Sequence, residues 1–131
     1  MDFTQRIETD LSYEEAIERV IATLKDQGFG VLTRIDMRQT LQDKIGVDTP
    51  PQMILGACSP ELAHRATSAD PRIAALLPCN VVVRTEGEQT VIEALSPALM
   101  ADVTENDELR PVAHEAAERI QAALDAVGAQ A

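Results

Sequence analysis

Three times in its first 60 residues this chain passes from a strand-like run almost directly into a helix start, and that punctuation constrains the fold more than any other feature. A run reaching about Ile7 gives way to Ser12-Tyr13-Glu14-Glu15, a capping box in which Ser12 and Glu15 satisfy exposed amide groups. The alternating segment Phe29 to Ile35 runs into Asp36, with Gln39 three residues on. The apolar segment Gln52 to Cys58 meets Ser59-Pro60-Glu61, an N-cap followed by proline in the first helical position.

The spacing within each segment supports the same reading. Ile17, Val20, Ile21 and Leu24 form one apolar stripe of a first helix, which Gly28 stops in the left-handed conformation. The second helix is short, carries Met37, Leu41 and Ile45, and ends at Gly46. The third runs to about Ala69, and Asp70 caps a further turn containing Ile73 and Leu76. Cys79 to Thr85 and Thr90 to Leu95 then read as two strands of a hairpin turned at Glu86-Gly87-Glu88. The last helix carries Val112, Ala113, Ala116, Ile120, Ala123, Leu124 and Val127 on one face, with a kink or a late start expected at Pro111. No repeat or linker divides the 131 residues, so one domain is expected. The terminal hairpin points to an α+β fold with a single, largely antiparallel sheet and two long helices.

Charge and composition exclude several classes. Twenty-two acidic residues against 11 basic ones give a net charge of −11, a repulsive field for phosphates and anionic lipid, so neither nucleic acid nor a membrane surface is an expected partner. With two Phe, one Tyr and no Trp, the core must be aliphatic. The opening residues carry charges where a signal peptide needs an apolar stretch, and no apolar run approaches the ~18 residues of a membrane span. The expected address is the cytoplasm, where Cys58 and Cys79 rest as thiols.

Both cysteines sit where a strand meets another element. Cys58 immediately precedes a helix N-cap, where amide groups and the helix dipole favour a thiolate, although a buried core residue has the same local sequence. Cys79 opens a strand, and Asn80 after it offers a side chain to a ligand or to neighbouring backbone. If the two strands are neighbours, the sulfurs come within bonding reach on a face shared with Gly56, whose missing side chain leaves room for a ligand or another backbone. Pro60 and His64 lie on the helix that follows Cys58. His64 and His114 bring the count to two Cys and two His, but the spacing C-x5-H-x14-C-x34-H fits no finger or ribbon, and no metal or other cofactor is expected. Neither histidine has an evident acidic partner in the sequence.

The strings Ile45-Gly46-Val47-Asp48, Pro50-Pro51, Ile54-Leu55-Gly56-Ala57-Cys58-Ser59-Pro60 and Leu76-Leu77-Pro78-Cys79-Asn80-Val81-Val82-Val83 resemble the bacterial and archaeal family called domain of unknown function 302. The resemblance spans nearly the whole chain; where many relatives have Asn, Ser59 stands instead. It implies a TATA-binding-protein-like arrangement of one strand, one helix, four strands and one helix, here with short helices inserted, commonly paired as a homodimer. It implies no activity. No catalytic constellation is evident, so the sequence reads as a binding or accessory module for a small, largely apolar ligand rather than an enzyme. Ile120 and Leu124 of the last helix are expected to face its pocket as well as the core. The alternative is thiol-dependent redox, sulfur-transfer or metal-handling chemistry at Cys58 and Cys79.

Overall fold

The strand-to-helix transitions form as the caps require. In a computed structural model describing residues 2–129, strand β1 (Thr4–Thr9) is followed by helix α1 (Tyr13–Asp26), with Ser12 Oγ accepting from the Glu15 amide at 3.2 Å. Strand β2 (Gly30–Asp36) runs without a loop into α2 (Met37–Ile45), where Asp36 accepts from the Gln39 amide at 3.0 Å. Strand β3 (Gln52–Cys58) leads to α3 (Pro60–Ala69), capped by Ser59. A 3-10 turn, Pro71–Leu76, precedes the hairpin of β4 (Cys79–Glu86) and β5 (Gln89–Leu95). Its two-residue loop places Gly87 at φ +62°, a conformation that costs glycine little.

The chain then makes a helix that the sequence reading passes over, α4 (Ala98–Thr104), before α5 (Arg110–Ala129). No side chain caps α4, and Glu105 ends it at φ +55°. A short 3-10 turn over Asp107–Leu109 precedes α5, so Pro111 falls in its first turn, the late start expected for a residue without an amide hydrogen.

All five strands join one antiparallel sheet in the order β1-β5-β4-β3-β2. Its faces differ sharply. Leu55, Ala57, Val81, Val83, Ile92 and Ala94 are buried against α1 and α5, whose Val20, Leu24, Ile120 and Leu124 are fully covered. The neighbours of these strand residues point the other way, away from α1 and α5: Asn80 is exposed, and Val82 and Ile54 are half-buried. Ignoring the shorter helices, the order is strand, helix, four strands, helix. No helix among the described residues is long and apolar enough to cross a membrane.

Candidate functional site

The register decides where the two cysteines look. Ala57 pairs with Cys79 and Gly56 with Asn80, so Cys79 shares the helix-covered face with Val81, Leu55 and Ala57. Gly56 belongs to the open face, which corrects the single cysteine-and-glycine face expected from alternation. There is also no vacancy above Gly56. A Cβ there would stand 2.1 Å from Thr33 Oγ1 and 2.9 Å from Pro78 Cγ, so neighbouring side chains already fill the space.

Cys58 ends β3 and nevertheless borders the same small cavity as Cys79. That cavity, about 30 Å³, lies where the ends of β3 and β4 meet α3, α4 and the start of α5. Leu62, Ala63 and Ala66 of α3 form one wall, Met100 of α4 and Ala113 and Ala116 of α5 another, with Phe29 and Leu77 closing the ends. The polar hydroxyl at its edge, that of Ser59, accepts from the Leu62 amide as the α3 cap, at 3.4 Å. Cys58 is half-buried and Cys79 buried; both are free thiols.

Burial pushes the Cys79 thiol up to about 11, and the neighbouring Cys58 adds to the effect. No Lys, Arg or His borders the cavity to offset it. At neutral pH Cys79 is therefore a neutral, apolar wall.

The other expected site residues scatter. Pro60 is exposed at the first position of α3, and His64 is exposed on its outer surface; neither lines the cavity. Asn80 is at the rim of a shallow depression on the open face. His114 does have an acidic partner, Glu118 one turn further on, with Nε2 and Oε1 2.8 Å apart, in an exposed pair. Among the described residues no three His, Cys, Asp or Glu side chains come together as a metal site. Ile120 and Leu124 face core rather than pocket: both are fully buried, and the cavity lies nearer the start of α5.

Two features lay beyond sequence reasoning. The residues that close the cavity, Phe29, Leu77 and Met100, read as ordinary core in the chain. On the open face, Thr4 Oγ1 donates to Glu93 at 2.6 Å and Arg84 Nη1 at 2.7 Å, holding the Glu93 carboxyl below the usual range. Only cross-strand register unites these residues, which are far apart in sequence.

The model for Domain of unknown function DUF302 matches residues 5–127. The chain belongs to the DUF302 family. Among solved structures it is similar to an uncharacterized conserved DUF302 protein from Bacillus stearothermophilus, at 29% identity with a TM-score of 0.91, covering 96% of this chain and 98% of the other. No curated protein matches. For a DUF302 chain the cavity geometry therefore carries the functional argument, because the related structure bears no assigned activity.

Proposed function

We propose that the protein is a homodimeric binding or accessory module that takes a small, largely apolar ligand into the cavity between Cys58 and Cys79. One observation carries this reading: apart from the Ser59 hydroxyl at its edge, which serves as the α3 cap, the cavity is lined by aliphatic side chains, Phe29, Met100 and the two thiols, with no charged side chain among them. A water molecule inside would find too few of the two to four polar partners it needs, so apolar matter is the favoured occupant. At about 30 Å³ the site accepts only a few heavy atoms unless α3 or α4 shifts. The dimer is supported by the exposed apolar side chains at the β2 side of the sheet, which a second copy would cover.

The test is ligand titration followed at two reporters. Small hydrocarbons should shift the Met100 methyl resonance and slow alkylation of Cys58, leaving resonances on the distant α2 unmoved. If no apolar compound moves either reporter, the cavity is a packing defect and the reading fails.

A second reading, thiol-dependent redox, sulfur-transfer or metal-handling chemistry, rests on the two cysteines bordering one cavity and Cys58 remaining partly accessible. Treatment with a mild thiol oxidant should then produce an intramolecular disulfide, seen as a loss of two hydrogens by mass spectrometry and abolished in Cys58→Ser. An unchanged mass would remove it.

A further inference from the structure

Strand β2 ends the sheet and pairs only with β3, leaving its other edge with unpaired backbone donors and acceptors. Apart from half-buried Val31, every residue of β2 is exposed. Helix α2, which follows directly, has no buried residue at all, although nine residues are too few for a stable isolated helix in water. Four of the six large apolar side chains exposed among the described residues fall in this one segment: Leu32 at 68%, Ile45 at 67%, Ile35 at 45% and Val47 at 42%. Such a concentration marks an interaction surface.

Charge identifies the occupant. Residues 30–48 carry three cations, Arg34, Arg38 and Lys44, against three carboxylates, Asp36, Asp43 and Asp48. The segment is neutral, so the whole formal charge of −11 resides elsewhere on the chain. A basic partner would be drawn to that acidic remainder. A second copy, itself strongly acidic, meets least repulsion over this segment, where Arg34 and Arg38 are already paired with Glu18 and Asp48 of the same chain at 3.3 and 3.6 Å. We infer that the homodimer forms through the β2 edge and α2, with Leu32, Ile35, Ile45 and Val47 at its centre. The inference rests on the dimer proposed above and adds the location of its interface.

Sedimentation equilibrium of the full chain at micromolar concentration tests both. The wild type should show twice the 14.2 kDa chain mass. Ile35→Asp with Ile45→Asp should weaken association at least 100-fold, and so should Leu32→Glu alone. Thermal melts should confirm folding, which these exposed positions leave intact. Val103→Asp, at a separate exposed apolar residue on α4, should leave the mass unchanged. A wild-type dimer that persists in both interface variants overturns the location and spares the dimer. A monomeric wild type overturns both.

Discussion

Cys58 and Cys79 border one cavity but differ in chemistry, because burial, with a smaller contribution from Cys58, holds Cys79 up to about 11 while Cys58 keeps an accessible side. Native protein treated with a maleimide at neutral pH should therefore label Cys58 and spare Cys79, which reacts only after denaturation; labelling at Cys79 in the native state would contradict its burial. Asp70 shows the opposite shift. Its carboxylate caps the turn after α3, accepts from Arg72 Nη2 at 2.7 Å, and also reaches Asn106 Nδ2 at 3.4 Å, tying that turn to the chain beyond α4. The Arg72 hydrogen bonds hold the carboxyl well below the usual carboxylate range. A group depressed in the folded state adds stability above its unfolded value of about 3.9, and that stability is lost as pH falls toward the folded value. Asp70→Asn should lower the melting temperature near pH 7, with the gap to wild type narrowing below about pH 4. A gap independent of pH would mean that the charge contributes nothing.

Gly56 is fixed by a close approach across strands. Adding a methyl group there meets Thr33 Oγ1 and the Pro78 ring, so Gly56→Ala should destabilise by about 1–3 kcal/mol, an overpacking cost. Thr33→Ala in the same chain should recover part of it by removing the nearer clash; denaturant unfolding measures both. Replacing Leu124, fully buried on α5, with Ala should destabilise the protein by about 2–5 kcal/mol. These contacts also mark how far the sequence could be read. Ser12, Asp36 and Ser59 announced three helices, and Gly28 and Gly46 two of their ends, because caps and left-handed stops are local chemistry. Helix α4 escaped although Ser96-Pro97 repeats the Ser59-Pro60 dipeptide, because seven residues carry too little periodicity to register. The site was only half legible. Both cysteines were visible as junction residues, but the pairing of Ala57 with Cys79, which separates Gly56 from the cavity, is a register fact with no signature in one strand alone.

At the scale of the whole molecule, net charge and apolar area pull in opposite directions. Two copies carrying −11 each repel one another, while an interface built from Leu32, Ile35, Ile45 and Val47 attracts without regard to salt. Ionic strength separates the two effects. At about 0.01 M salt the screening length is roughly 30 Å, long enough for the acidic surfaces of both protomers to interact; near 0.15 M it falls to about 8 Å and only charges close to the interface still count. Because residues 30–48 are neutral, that remaining local electrostatic contribution is small. The proposed dimer should therefore tighten as salt rises from about 0.01 to 0.3 M, most steeply at the low end where screening changes most. Sedimentation equilibrium across that series measures the trend directly. An interface held chiefly by ion pairs would show the reverse, loosening as salt rises, and would move the contact away from the neutral β2–α2 segment.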